Sequence, residues 1–256
     1  MKDVQRQKPE NPLYIHKVGV KDIRYPIVVK DKKRGSQHTV ASINLYVDLP
    51  VEFKGTHMSR FIEVLNEYHE EIHINRFEHI LLEIRSALEA ESAHMEIEFP
   101  YFIEKEAPVS KVQGLMGYKC SLIGSVGEAK DFRVGVKVPV QTLCPCSKEI
   151  SVNSAHSQRG IICAVVKYNR FFWLEDLIEL IENCGSSPVY SVLKRPDEKY
   201  LTEYAYDNPM FVEDVVRQAA AELSKRPEFD WFSVEAENME SIHNHNAYAY
   251  IEGKSG

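Results

Sequence analysis

Two runs of strict alternation constrain this chain more than any other feature. Ala41, Ile43, Leu45, Val47 and Leu49 share one face of the first run, opposite Ser42, Asn44, Tyr46 and Asp48. In the second, Phe132, Val134, Val136, Val138 and Val140 alternate without a fault. Successive side chains of a strand point to opposite faces, so each run specifies a strand with one face buried. Antiparallel sheets with one polar face pack their helices on the other side.

Helical spacing separates these runs from further strands. Phe61, Ile62, Leu65 and Tyr68 mark one amphipathic segment, and Phe77, Ile80, Leu81, Ile84 and Leu88 mark a longer one. A period of two resumes at Met95, Ile97 and Phe99, and Met116–Gly124 reads as another strand. An earlier short strand is expected over Tyr25–Val29. The second half repeats the order. Ile161–Tyr168 partners the second alternating run, and Trp173, Leu177, Leu180, Ile181 and Cys184 follow helical spacing up to Gly185, a C-terminal cap. Asn208-Pro209 opens another helix, with Asn as cap, that carries Val212, Val215, Val216, Ala219 and Leu223. Strands around Phe232–Ala236 and Ala247–Ile251 close the chain. The expectation is an α+β chain of two tandem ββααββ modules, 20–128 and 129–256, after a flexible leader over 1–19. Open sheet edges invite pairing with another subunit, so an oligomer is expected.

The bulk numbers exclude several classes. The 256 residues carry a formal net charge of −7, against the basic balance of a general nucleic-acid binder. No apolar run approaches the ~18 residues needed to span a bilayer, and the polar N-terminus lacks a secretory signal. Five cysteines, an odd number, do not make a disulfide framework. A cytoplasmic protein with no membrane partner is expected.

Candidate chemistry is concentrated in a few segments. Leu143-Cys144-Pro145-Cys146-Ser147-Lys148 and Ala155-His156-Ser157-Gln158-Arg159 bring two thiols, an imidazole and two cations close in sequence. Thiolate and neutral imidazole suit a divalent transition metal, and Lys and Arg suit a polyphosphate. The one-residue spacing of Cys144 and Cys146, with no second pair, disfavours a closed four-ligand zinc site and favours an open one. Cys120, Cys163 and Cys184 fall at strand or helix positions, where a thiol is ordinarily an inert core group. Leu193-Lys194-Arg195-Pro196-Asp197-Glu198-Lys199 reads as a polar loop, taken alone a solvated turn. Glu213, early in its helix, serves either as a dipole-complementing carboxylate or as the anchor of a base with adjacent N–H donors, such as guanine. His243 and His245 stand before the last strand; in extended chain their rings would share a face roughly 6.8 Å apart, suited to acid–base work.

These segments, with NPMFVEDVVR, SIHNHNAYA and Gly55-Thr56-His57-Met58-Ser59-Arg60-Phe61, resemble the type IB GTP cyclohydrolases over nearly the whole chain. The resemblance implies a tunnelling fold, assembly as a homotetramer and active sites between subunits. It implies conversion of GTP and water to 7,8-dihydroneopterin triphosphate and formate, the first step toward tetrahydrofolate. By similarity, Cys144, His156 and Glu198 would hold one divalent ion (Zn²⁺, Mn²⁺ or Fe²⁺) per active site. Cys146 would lie beside it, exchanging with a ligand or moving protons. Glu213 matches the purine anchor, His243 and His245 the proton-transfer pair, and Lys148, Arg159, Arg195 and Arg60 the triphosphate cations. Ser157 departs from the family's usual His-Asn-Gln-Arg, at a position with no assigned role.

Three alternatives stand beside this reading. One is an archaeal-type GTP cyclohydrolase that ends at a cyclic phosphate of dihydroneopterin. Another is a nitrile reductase of the same fold, with a cysteine nucleophile and NADPH. The third is a non-catalytic metal- or purine-binding protein.

Overall fold

The computed structural model describes residues 4–68 and 74–255. Its elements run β1 (Ile15–Asp31), β2 (Gly35–Leu49), α1 (Met58–Glu67), α2 (Ile74–Ala87), β3 (Ala93–Glu106) and β4 (Gln113–Val126) in the first half. The second half runs β5 (Asp131–Leu143), α3 (Pro145–Ile150), β6 (Ser157–Tyr168), α4 (Leu174–Glu182), β7 (Ser187–Pro188), α5 (Arg195–Asp207), α6 (Val212–Ser224), β8 (Phe229–Asn238) and β9 (Ala247–Gly253). The first half is ββααββ as the periodicity predicts. The second keeps that order but inserts α3 between its first strands, and β7 with α5 between its principal helices.

The chain divides into two compact units. One holds the residues up to Pro100 with Ser121–Arg133, and the other holds Tyr101–Cys120 with Val134–Gly256. The chain passes between them inside β3, β4 and β5 rather than through a linker.

In the first unit β1 and β2 form a long hairpin, with Asp31 paired to Gly35 and Tyr25 to Ala41. Gly35 takes φ +84° in the turn, a conformation that strains any residue with a Cβ. The Asp31 carboxylate accepts from the amides of Lys33 and Arg34 at 2.9 and 2.7 Å, which closes the turn. β1 is longer than the predicted Tyr25–Val29, since irregularities near Ile15–Val18 and Val20–Ile23 interrupt its alternation. It begins inside the expected leader. Gln5 in that leader is also tied down, accepting at its carbonyl from the amides of Lys54 and Gly55. The alternating face of β2 (Ala41, Ile43, Leu45, Val47, Leu49) is buried with Phe61 and Leu65 of α1, Phe77, Ile80, Leu81 and Ile84 of α2, and Met95, Ile97 and Phe99 of β3.

In the second unit β5, β6, β8 and β9 are consecutive neighbours, and β7 pairs with β5. β6 and β8 run antiparallel with Gly160 opposite Asn238. Val134, Val136, Val138 and Val140, Ile162, Ala164 and Val166, and Val234 and Ala236 are all at most 1% exposed. α4 covers them with Leu177, Ile178 and Ile181, and α6 with Val215, Ala219 and Leu223. Each such side chain contributes roughly 1.5–3 kcal/mol when withdrawn from water.

Two predicted helix ends differ. α4 closes at Asn183, and Gly185 is small for another reason: a Cβ there would stand 2.7 Å from that of Val140 on β5. Asn208 closes α5 instead of opening the next helix. α6 starts at Val212, where the Asp214 carboxylate accepts from the Phe211 amide at 3.1 Å. No helix among the described residues is long and apolar enough to cross a membrane.

Candidate active site

Three backbone hydrogen bonds in the second unit draw sequence-distant motifs together. Cys144 N donates to His156 O at 3.1 Å, Met210 N to Leu143 O at 3.0 Å, and Met239 N to Arg159 O at 2.9 Å. The start of α3, the start of β6, the segment leading into α6 and the end of β8 are thus tied together pairwise. Cys144, Cys146, His156 and Arg159 lie on the joined segments, Glu213 lies three residues after Met210, and His243 and His245 lie four and six residues after Met239.

The first of these is a helix start. Pro145 stands in the first turn of α3, and Cys144 Sγ caps it, accepting from Ser147 N at 3.5 Å. The Ser147 hydroxyl donates to Cys144 O at 3.1 Å and accepts from His156 N at 3.2 Å. One serine therefore holds the thiol and the imidazole segments in register. Its place three residues after Cys144 was the available signal, and sequence reasoning passed over it. Cys144 is half-buried and Cys146 exposed. Burial pushes the Cys184 thiol up to about 12 and that of Cys120 upward too, as suits core groups.

The imidazole of His156 has its Nδ1 3.0 Å from Gln158 Oε1 and 3.4 Å from Ser241 Oγ. His243 and His245 are exposed in the β8–β9 connection. Their rings stack with centroids 5.1 Å apart and 17° between planes. That is closer than the extended spacing expected from sequence, because the segment bends rather than extends.

The segment read as a polar loop is the start of α5, and one of its carboxylates is buried. Asp197 is 0% exposed and accepts from Val109 N, Ser110 N and Lys194 N at 2.8 Å each and from Ser110 Oγ at 2.6 Å. Burial works to raise its pKa, but the hydrogen bonds from Ser110, Lys194 and Val109 outweigh it and hold the carboxyl well below the usual range. Asp197 fixes the turn that presents its exposed neighbours Arg195 and Glu198. Glu198, Arg159, Ser157, Gln141, Tyr190 and Thr202 line an open cleft of ≈ 470 Å³.

Lys148 is engaged within the chain. Its Nζ donates to the carbonyl of Tyr206 and lies 4.2 Å from the centroid of that ring. Glu213 is exposed in the first turn of α6, where it complements the helix dipole while Asp214 makes the capping hydrogen bond. Arg60 belongs to the first unit. It donates to Ala87 O at 3.0 Å and borders a small cavity of ≈ 40 Å³ with Arg6, Asp48, His57 and Glu89.

Among the described residues no three His, Cys, Asp or Glu side chains are grouped closely enough to hold a metal ion. The structure brings Cys144 and His156 side by side and sets Glu198 in the cleft bordered by Ser157–Arg159, next in sequence to His156. Thiolate, imidazole and carboxylate together form a borderline donor set that suits Zn²⁺, Mn²⁺ or Fe²⁺ in chemistry.

This architecture is the tunnelling fold, of the α+β class. Urate oxidase from Bacillus subtilis 168 shares it with a TM-score of 0.53 at 9% identity, over 93% of this chain and 98% of that one. The R298C urate oxidase of Bacillus sp. TB-90 gives 0.55 at 9% identity, over 94% and 98%. The family described as type I GTP cyclohydrolase folE2 matches residues 1–249. The GTP cyclohydrolase FolE2 of Syntrophus aciditrophicus is 61% identical over 98% of this chain and 99% of its own. That of Geobacter sulfurreducens is 59% identical over 98% of each. The chain belongs to the FolE2 family of type I GTP cyclohydrolases.

Proposed function

We propose that this chain is a metal-dependent GTP cyclohydrolase of type IB, converting GTP and water to 7,8-dihydroneopterin triphosphate and formate in the first step toward tetrahydrofolate. One observation supports the reading beyond family membership: three backbone hydrogen bonds tie the thiol segment to the imidazole segment and to the approach to α6, and the imidazole segment to the end of β8.

Each side chain then has a task suited to its chemistry. The Glu213 carboxylate, spared from capping, accepts two adjacent N–H groups of guanine. Arg159, in the cleft beside Glu198, is the best placed cation for the triphosphate. Arg195 stands one turn from Glu198, and Arg60 would complete the set from another subunit. Lys148 joins only after leaving the Tyr206 carbonyl. His243 and His245 move protons as the five-membered ring opens and the product recloses, with Cys146 as a further proton carrier. A divalent ion held by Cys144, His156 and Glu198 would supply Lewis-acid activation of the water that adds at C8. Strands β1 and β9 end the pairing order and leave Tyr248 and Tyr250 exposed, which supports assembly as a homotetramer with sites between subunits.

Metal-stripped protein is expected to release no formate from GTP and to recover on addition of Mn²⁺ or Zn²⁺. Full turnover in the stripped protein would reject metal dependence. Phosphate-31 spectra should show a retained linear triphosphate; a 2′,3′-cyclic phosphate product would assign the archaeal-type reaction instead. Glu213→Ala is expected to retain its metal while GTP affinity falls about a hundredfold, as loss of a charged acceptor of two hydrogen bonds implies. Unchanged GTP affinity in calorimetry would remove Glu213 from the purine site.

A further inference from the structure

We propose that Gln158 is a positioning residue that holds His156 as its Nδ1–H tautomer, leaving Nε2 as the bare donor nitrogen. The Gln158 side chain is buried, 8% exposed at the edge of the cleft, and its amide finds its partners within the protein. One end faces Thr142 Oγ1 at 3.1 Å and Glu240 Oε1 at 3.5 Å. The other faces His156 Nδ1 at 3.0 Å. Glu240 Oε1, at 3.5 Å the longest of these contacts, is the partner that decides the orientation, because a carboxylate accepts whereas the Thr142 hydroxyl can do either, and it assigns the NH₂ to that end. The carbonyl therefore faces the imidazole. A carbonyl also only accepts, so Nδ1 carries the proton and the neutral ring leaves Nε2 unprotonated.

The supports of that orientation are independent of His156. Thr142 is 0% exposed on β5, and Glu240 follows β8, which pairs with β6 through Gly160 and Asn238. Ser241 Oγ also reaches Nδ1, but at 3.4 Å it is the weaker partner. Were its hydroxyl the donor to Nδ1, the opposite tautomer would result, and that is the competing arrangement. A metal takes the unprotonated nitrogen of a neutral imidazole, and the partner of the other nitrogen decides which one that is. The consequence for metal affinity rests on the ligand role of His156 given above. The tautomer does not.

The test uses the metal-free full-length chain, labelled with ¹⁵N at histidine and held near pH 8, above the ordinary imidazole range. Long-range ¹H–¹⁵N spectra of His156, assigned by its absence in His156→Gln, should show a protonated Nδ1 and a bare Nε2. Gln158→Leu should convert the ring wholly or partly to the Nε2–H form and weaken Zn²⁺ binding about 10–100-fold in chelator competition. Gln158→Glu, combined with Glu240→Gln so that two carboxylates do not face each other, keeps an acceptor toward Nδ1 and should retain the wild-type tautomer. A wild-type ring protonated at Nε2, or a Gln158→Leu ring unchanged from wild type, would overturn the proposal. Should Gln158→Leu not fold, the spectra of the wild type and the double variant still decide it. The expected tautomers with no Zn²⁺ binding in any of these proteins would uphold the positioning role and discard the ligand role instead.

Discussion

Cys144→Ala is expected to lower formate release from GTP by at least about a thousandfold, on the scale seen when one member of a cooperating catalytic set is removed. It should also abolish tight binding of a divalent ion. The thiol is half-buried, caps α3 and sits one backbone hydrogen bond from His156, whereas the nearby Cys146 is exposed. Loss of the cap alone costs helix stability. Cys144→Ser separates the two effects, because a hydroxyl is a good N-cap but a poor ligand for a soft or borderline ion. It should therefore restore the melting temperature and not the metal. Cys146, exposed one residue into α3, should behave differently. Its alanine variant is expected to keep the ion and to lose about 10²–10⁴ in rate through proton transfer. Metal analysis that found the ion retained in Cys144→Ala and lost in Cys146→Ala would exchange the two roles.

Glu182→Ala should be strongly destabilising, at about 3–5 kcal/mol in urea denaturation, the cost of stripping one partner from a buried ion pair. The Glu182 carboxylate is 7% exposed and accepts from Lys105 Nζ at 2.6 Å and from Tyr118 OH at 2.8 Å. Lys105 also donates to Val189 O at 2.9 Å and stands 4.1 Å from the Tyr190 ring centroid. Val189 and Tyr190 line the cleft that holds Arg159 and Glu198, so the ion pair underpins the site's wall.

The pH dependence of that deficit has a defined sign. Burial lowers the pKa of Lys105, and Glu182 partly offsets it by raising it. Without Glu182 the folded value drops further below the unfolded one. A depressed base is fully compatible with folding only above its unfolded pKa, near 10.4, and stability is lost as pH falls through the folded value. Burial, with Glu182, also raises Tyr118, so the native protein loses stability from that group above about pH 10. Both effects make the deficit of Glu182→Ala shrink toward alkaline pH. A deficit below about 1 kcal/mol at neutral pH, or one that grows with pH, would show that the pair is not the element holding this wall.

Much of the secondary structure was legible because alternation and helical spacing are local signals. The faces of β2 and β5 and the buried stripes of α1, α2, α4 and α6 follow from them directly. The boundaries were less legible. Asn208-Pro209 carries a helix-start signature, yet Asn208 closes α5 with its amide on the Tyr204 and Ala205 carbonyls, and the Met210 amide goes to the Leu143 carbonyl. The charged composition of Lys194–Lys199 concealed a fully buried Asp197, since what buries it comes from Val109 and Ser110, far away in sequence.

The sequence by itself determined the α+β class, the repeated ββααββ order and the inventory of ligating and charged groups, because residue type and spacing carry them. Only the tertiary structure decided how those groups are used. Cys144 and His156 are side by side through a backbone hydrogen bond, Asp214 rather than Glu213 caps α6, and Lys148 is bound to the C-terminal end of α5. Gln158 is buried against the imidazole. Each of these depends on which chain segments the sheet brings into register, and no residue's neighbours along the chain contain that information.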